Sequence, residues 1–273
     1  MLRALHTLVH TVCFWAWTLI AAPIFFVPAF AIWLVTLPFD PNGRVLHLYT
    51  CFWCAQHLWT NPLWRMDVRG REKIDRKKAY VYASNHLSSG DIAVLFSLML
   101  PYKFVSKHQN FYVPLIGWNM YMNRYIRLRR GDGDSVRQMV ATCLMWLKRG
   151  VSIMMFPEGT RSRTGVMLPF KLGAFRLAAD AGVPVVPIVI DGSREALPVD
   201  GVMRQFGRLD VRVRILDPVD PKDYADPQAL ADAVRAKMEV AQRELWALRG
   251  FVPPVATESV PAAAPAHGER AQA

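Results

Sequence analysis

The chain has 273 residues, of which 52% are apolar, and its formal net charge is +11. This length suits one domain with attached segments. A chain both so apolar and so basic is atypical of soluble nucleic-acid-binding proteins, and no nucleic-acid-binding motif occurs in it. The composition therefore favours an anionic membrane surface or anionic substrates. Residues 103–176 hold thirteen Lys and Arg against three acidic residues, a pattern that a solvated basic face would also produce.

The N-terminal region is an uncharged apolar stretch over residues 4–39. As one straight helix it would reach about 54 Å, whereas the hydrocarbon core of a bilayer is only about 30 Å thick. Pro23 and Pro28 lie in its middle and favour a break. We therefore expect two apolar helices around the prolines, arranged as a hairpin or as one span plus an interfacial segment. A cleaved signal peptide is the alternative, although the stretch is longer than a typical signal core.

A third apolar segment covers residues 45–64 and is rich in aromatic side chains, which favour the membrane interface. It predicts a helix that lies at the interface or covers the core. Cys51 and Cys54 form a CxxC without a second pair of metal ligands, so we interpret them as buried small hydrophobic residues and expect no metal site.

The composition changes from apolar to charged at residues 65–78, and after this segment short apolar runs alternate with helical patterns. The pattern predicts strands at residues 79–83, 104–105, 125–126, 151–156, 185–190 and 211–215, and helices at 92–100, 135–148, 174–181 and 230–248. This alternation indicates an α/β fold with a mixed, mainly parallel sheet flanked by helices. We expect a membrane anchor at 1–64, a catalytic domain at 65–250 and a disordered Pro/Ala-rich tail at 251–273.

The segment NHLSSGD, residues 85–91, lies between a predicted strand and a predicted helix. Its spacing allows the Asp91 carboxylate to reach one ring nitrogen of His86, while the other nitrogen faces a substrate. Such a carboxylate stabilises an imidazolium that forms when the imidazole takes a proton. A helix-capping Asp beside an incidental His is the simpler alternative.

The segment FPEGTRS, residues 156–162, follows the predicted strand at 151–156. Ligands favour the carboxyl ends of strands in α/β sheets. Gly159 permits a tight turn, Arg161 offers a planar fork to a phosphate, and Glu158 can bond a hydroxyl or brace the Arg. An ordinary turn braced by a Glu–Arg ion pair is the alternative.

NHxxxxD followed by FPEGTRS resembles the lysophosphatidic acid acyltransferase family. Two further segments fit the family's motifs. The first places Lys107 before a turn with Pro114 and Gly117 and has Arg130 further on, chosen by its spacing although Arg127 and Arg129 are adjacent. The second is the VPVVP segment at residues 183–187. The resemblance covers residues 79–191 and implies the family's α/β fold with an N-terminal membrane anchor.

The resemblance also implies roles for single residues. His86 is the general base and Asp91 orients it, while Lys107, Arg161 and Arg130 bind the phosphate of a lysophospholipid acceptor. Glu158, Gly159 and Thr160 belong to the acceptor site. Acyl-CoA or acyl carrier protein supplies the acyl group as a co-substrate, so no metal or redox cofactor is implied. The expected location is a membrane, the inner membrane in a bacterium, with the catalytic domain facing the cytoplasm and no nucleic acid as partner.

Three other functions compete with acylation of lysophosphatidic acid. Relatives that acylate another acceptor, such as glycerol-3-phosphate, another lysophospholipid or a lyso-ornithine lipid, share these motifs. A membrane esterase that uses the His–Asp pair would need a nucleophilic Ser on a G-x-S-x-G turn, and the sequence has none. A non-catalytic membrane-binding module would not need His86, Asp91, Glu158 and Arg161 together.

Overall fold

The computed structural model describes residues 2–198, 201–203 and 208–252. Within them the sheet has seven strands: β1 Trp64–Arg69, β2 Val81–Ser84, β3 Tyr102–Lys107, β4 Ile126–Leu128, β5 Ser152–Met155, β6 Val185–Asp191 and β7 Leu209–Ile215. The helices are α1 Leu2–Thr36, α2 Arg44–Trp59, α3 Gly90–Ser97, α4 Ile116–Met122, α5 Gly133–Lys148, α6 Gly173–Ala181, α7 Ser193–Ala196 and α8 Pro227–Leu248.

The strands lie in the order β1-β7-β6-β2-β5-β3-β4. All neighbours are parallel except β6 and β7, which are antiparallel. The five consecutive strands from β6 to β4 therefore run in one direction, and β1 and β7 run in the other. The predicted mixed, mainly parallel sheet is confirmed. Because β2, β3, β4, β5 and β6 are parallel, the residues that follow them meet at one edge of the sheet.

The sheet is covered by helices on both faces, which explains why its central strands are mostly apolar. On one face, α2 and α3 cover a core that includes Tyr82, Phe104 and Ile188. On the other face, α5, α6 and α8 cover a core that includes Ile153 and Val189. Every residue of β2, β5 and β6 is buried.

The N-terminal apolar stretch is one continuous helix, so the prediction of two helices around Pro23 and Pro28 is wrong. Each proline removes only its own backbone donor, and an apolar stretch offers no competing partners, which favours backbone bonding within the helix. Contacts along its length also support α1: Trp17 Nε1 donates to Gln56 Oε1 at 2.7 Å, and Phe25 stacks on Trp53.

Helix α2 covers the core, which is one of the two placements that its sequence predicted. It packs against α3, and Leu46, Ala55 and Leu58 are buried. Cys51 is buried as well, and no cluster of His, Cys, Asp or Glu that could hold a metal occurs in the described part of the chain. The strand β1 follows, in a segment whose charges predicted a domain boundary.

Most of the predicted C-terminal tail, residues 253–273, lies outside the described residues. Its first residue, Phe251, packs against the end of α8. The Phe251 amide donates to the Trp246 carbonyl at 3.0 Å, and the Arg249 guanidinium lies 4.4 Å from the centre of the Phe251 ring.

Candidate functional site

The turn after β2 brings His86 and Asp91 together as their spacing predicted. His86 Nδ1 lies 2.9 Å from Asp91 Oδ2, the same oxygen that accepts the amides of Leu87 and Ser88 at 2.6 and 2.8 Å. Asp91 is fully buried in the first turn of α3, whereas the His86 side chain remains 13% exposed. One carboxylate oxygen therefore fixes both the imidazole and the backbone of the turn.

The ring of His86 is held by a second contact that the motif did not reveal. It stacks on Phe156, with ring centres 3.9 Å apart and planes 9° from parallel. Since Nδ1 is directed at Asp91, this stacking leaves Nε2 as the nitrogen available to a substrate. No hydrogen-bond partner of Nε2 occurs among the residues that the structure describes.

The turn also depends on partners far along the chain. The Asn85 side chain accepts from the Ile190 amide at 2.7 Å and donates to the Ile190 carbonyl at 2.9 Å, which fixes the end of β2 to β6. The Ser88 hydroxyl donates to the Leu197 carbonyl at 2.5 Å. These contacts anchor both sides of the His86 backbone.

Glu158 lies beneath the same turn and is only 3% exposed. Its two carboxylate oxygens accept the backbone amides of His86 at 2.7 Å and Leu168 at 2.8 Å. Burial raises the pKa of Glu158 to about 7, and the two amide hydrogen bonds oppose that rise. The geometry favours a positioning role over the predicted contact with an acceptor. Among the described residues, Glu158 forms no ion pair with Arg161, so the simple ion-paired turn is not observed.

Arg161 reaches back to the first turn, because its Nη1 donates to the Ser89 hydroxyl at 2.7 Å. The backbone supports this approach: the Ser162 amide donates to the His86 carbonyl at 2.8 Å. Gly159 has a φ of +69°, a conformation that favours glycine, and a β-carbon there would lie 3.0 Å from the Lys171 side chain. Thr160 is exposed between them.

Lys107 and Arg130 lie at the same edge of the sheet, at the end of β3 and two residues past the end of β4. Both are exposed, and neither side chain has a hydrogen-bond partner within the described ranges. Desolvation by neighbouring groups and the nearby Arg161 lower the pKa of Arg130. By contrast, Arg127 donates to the Tyr121 hydroxyl and Arg129 lies 3.7 Å from Asp132. Arg130 is therefore the unpaired arginine of the three.

The arrangement has a clear chemical capacity. The buried Asp91 carboxylate supports the His86 imidazole, whose second nitrogen is accessible. The Arg161 guanidinium is held close to this pair by its hydrogen bond to Ser89. Such a pair can take a proton from a hydroxyl and return it to a leaving group. Cations at the same edge can bind a phosphate.

Comparisons with known proteins agree with this chemistry. The family model described as Acyltransferase matches residues 65–191. A 1-acyl-sn-glycerol-3-phosphate acyltransferase of Chlamydomonas reinhardtii is 35% identical over 230 residues, covering 83% of this chain and 68% of that protein. The enzyme of the same name from Salmonella typhimurium is 30% identical over 190 residues, covering 67% of this chain and 76% of its own length. The chloroplastic relative of Brassica napus is 39% identical, and the chain spans 53% of it.

A solved structure extends the similarity to the whole fold. The crystal structure of the 1-acyl-sn-glycerophosphate acyltransferase from Thermotoga maritima matches with a TM-score of 0.72 and 25% identity, covering 90% of this chain and 98% of that one. The algal and bacterial relatives share about a third of their residues with this chain over two thirds or more of their lengths. The chain therefore belongs to the 1-acyl-sn-glycerol-3-phosphate acyltransferase family and is an acyltransferase.

Proposed function

We propose that the protein transfers a fatty acyl group to the sn-2 hydroxyl of lysophosphatidic acid and so forms phosphatidic acid. The observation that carries this proposal is the 2.9 Å contact of His86 with the buried Asp91, beside the Arg161 guanidinium. The names of the algal, plant, animal and bacterial relatives support the same acceptor.

In the proposed reaction, His86 Nε2 takes the proton of the acceptor hydroxyl while the hydroxyl oxygen attacks the thioester carbonyl carbon. The tetrahedral intermediate then expels the thiolate by breaking its carbon–sulfur bond, and the imidazolium returns the proton to that sulfur. Asp91 stabilises the imidazolium between the two steps. Apart from the proton that His86 carries, every bond formed or broken belongs to the two substrates, and no atom changes its oxidation state. The proposed reaction therefore involves no redox cofactor, and we propose that it uses no metal.

Phosphate recognition is assigned to Lys107, Arg130 and Arg161. A guanidinium forms charge-assisted hydrogen bonds with phosphate, and Arg161 is already directed at this edge through Ser89. Gly159 and Thr160 shape the acceptor site, and Glu158 positions the His86 backbone. The acyl donor is acyl-CoA or acyl carrier protein, both of which present the same thioester.

The proposed location is supported by α1, the one helix among residues 2–198, 201–203 and 208–252 that is long and apolar enough to cross a membrane. Its 35 residues span about 52 Å at 1.5 Å per residue, more than the bilayer core of about 30 Å. Most of its large apolar side chains are exposed. We place α1 in the membrane and the sheet on the cytoplasmic side, where a soluble acyl donor is available.

The phosphate assignment is tested with Arg161→Gln and the matched control Arg163→Gln, which removes a charge from an exposed side chain two residues away. Arg161→Gln should raise the KM for lysophosphatidate by roughly tenfold or more, the effect of losing about 1.4 kcal/mol of binding. The KM for the acyl donor should stay nearly unchanged. Equal effects on both substrates, or equal effects of both variants, would argue against the phosphate role.

The acceptor itself is tested by offering the purified enzyme several lysolipids with acyl-CoA and with acyl carrier protein. Lysophosphatidate should give the highest kcat/KM. A higher kcat/KM with a lyso-ornithine lipid, or with a lysophospholipid that has a larger head group, would show that this lysolipid is the acceptor instead.

A further inference from the structure

A second basic site lies at the other edge of the sheet, where β3 and β5 begin. A cavity of about 80 Å³ is bounded there by the start of α2, the segment before β2, and the first residues of β3 and β5. Four cationic side chains line it: Arg44, Arg76, Lys78 and Lys103. Along β3, Lys103 precedes Lys107 by four residues, or about 13 Å, so the cavity is separate from the candidate acyltransfer site.

Lys103 is the unusual member of this group because its side chain is only 1% exposed. Its amine donates to the Asn123 carbonyl at 2.7 Å and lies 5.0 Å from the centre of the Trp146 ring. The carbonyl takes one of its three N–H bonds. The amine also faces the start of α2, since a β-carbon built on Gly43 would lie 3.4 Å from Nζ.

The charge of this cavity is not balanced by nearby carboxylates. Within the described ranges, none of its four cationic side chains has an acidic partner at ion-pair distance. Asp40 is the acid that acts on Lys103, but its carboxylate accepts the Val45 amide at 2.7 Å. Burial and the nearby Arg124 lower the pKa of Lys103 to about 7 despite Asp40. A bound anion would relieve the cost of this buried charge.

The size of the cavity limits the anion. Each water-sized group needs roughly 10–15 Å³ of such volume, so about 80 Å³ accommodates a group of about five to eight heavy atoms. A phosphate group has this size, and Arg44, Arg76 and Lys78 at the rim suit its charge. The first turn of α2 adds the positive end of a 16-residue helix.

We propose that this cavity, bounded by the start of α2 and the start of β3, binds a phosphate group. Lys103 contacts the phosphate from inside the fold, and the rim cations contact it from solvent. The rim cations are exposed, and the cavity begins six residues after α1 ends. A free phosphate ion and the phosphate of a membrane lipid are therefore the two candidate ligands. Nothing in this proposal depends on which acceptor the enzyme acylates.

The experiment measures binding of inorganic phosphate to the full-length, detergent-solubilised protein by equilibrium dialysis. The test variant is Arg76→Gln/Lys78→Gln, which alters exposed side chains and leaves the core intact. The matched control is Lys237→Gln/Arg243→Gln, with the same change of charge on the exposed surface of α8. Lys103→Met removes the buried amine while it keeps most of the side-chain volume.

The test variant should weaken phosphate binding by roughly tenfold or more, equivalent to about 1.4 kcal/mol, while the control should stay within about twofold of the original chain. Phosphate binding that Arg161→Gln abolishes and the test variant leaves intact would assign the ion to the acyltransfer site and overturn the proposal. Equal losses in the test and control variants would also overturn it, since only general charge would matter.

A displacement measurement then separates the two sources. Arg76→Gln/Lys78→Gln defines the fraction of bound phosphate that lies in the cavity. If the natural ligand is a lipid head group, phosphatidate in mixed micelles should displace that fraction from the original chain. Retention of that fraction in the presence of phosphatidate would support the pocket and assign it to free phosphate.

Discussion

The substitution Asp91→Asn isolates the charge that supports His86. Asn has nearly the shape of Asp, so its oxygen can still accept the hydrogen bonds now made to Oδ2 by His86 and by the Leu87 and Ser88 amides. The new amide nitrogen then occupies the position of Oδ1, which is buried without a partner in the described structure. An unsatisfied buried donor costs about 1–3 kcal/mol, less than the usual stability of a domain, so the variant should fold.

The loss of rate follows from the loss of that charge. When His86 takes the proton, the positive ring stays in direct contact with the carboxylate, because Nδ1 lies 2.9 Å from Oδ2. Two unit charges about 4 Å apart interact by about 4 kcal/mol at an effective dielectric constant of about 20. Since about 1.4 kcal/mol corresponds to tenfold in rate, Asp91→Asn should lower kcat by about a thousandfold.

The assay is initial-rate acylation of lysophosphatidate by purified enzyme at saturating acyl donor, with circular dichroism to confirm folding. Glu158→Gln is the matched control, because it makes the same isosteric change to a buried carboxylate that touches the His86 backbone but not its ring. Its loss of kcat should be at least tenfold smaller than that of Asp91→Asn, because the imidazole keeps its carboxylate. A folded Asp91→Asn enzyme within tenfold of the original rate would refute this account of the pair.

Two further predictions concern stability. Burial raises the pKa of Glu158 from 4.5 to about 7, so its contribution to stability is fully present below pH 4.5 and is lost as the pH rises to about 7. Glu158→Gln should therefore gain stability relative to the original chain over this window, by up to about 3 kcal/mol in urea unfolding, and parallel pH curves would contradict the buried carboxylate. Gly159→Ala should cost about 1–2 kcal/mol because of its positive φ, as should Gly182→Ala, which meets no neighbouring atom. Only Gly159→Ala should also lower acylation, and equal activities would show that the turn tolerates a side chain.

The parts of the site that depend on neighbouring residues could be predicted from the sequence. His86 and Asp91 are five residues apart on a strand-to-helix turn, and this local geometry alone brings the carboxylate to the ring. Parallel strands then bring residues 156–162 to the same edge, which the alternation of strands and helices indicated.

The remaining contacts join segments that are distant in the sequence, so no local sequence pattern predicts them. Glu158 bonds the His86 amide across 72 residues, and Asn85 bonds Ile190 across 105. The sequence places Glu158 at the acceptor site, because its neighbours in the chain do not show that two backbone amides bond its carboxylate oxygens.

Two elements of the fold were missed for a related reason. β1 reads as a charged boundary because it pairs only with β7, about 145 residues away, at the edge of the sheet. Arg214 Nη2 also bonds Asp67 there at 2.9 Å, so charged side chains are satisfied within the strand pair. In α1, packing against α2 outweighs the two prolines that predicted a break.

The central claim is that His86 moves the proton. The most direct measurement is kcat for His86→Ala with lysophosphatidate and acyl donor, with and without added imidazole. General-base catalysis typically contributes 10²- to 10⁴-fold, so the rate should fall by about that factor. Imidazole should restore part of it, because the side-chain space beside Asp91 and Phe156 becomes vacant. A folded His86→Ala enzyme that turns over at the original rate would contradict the account.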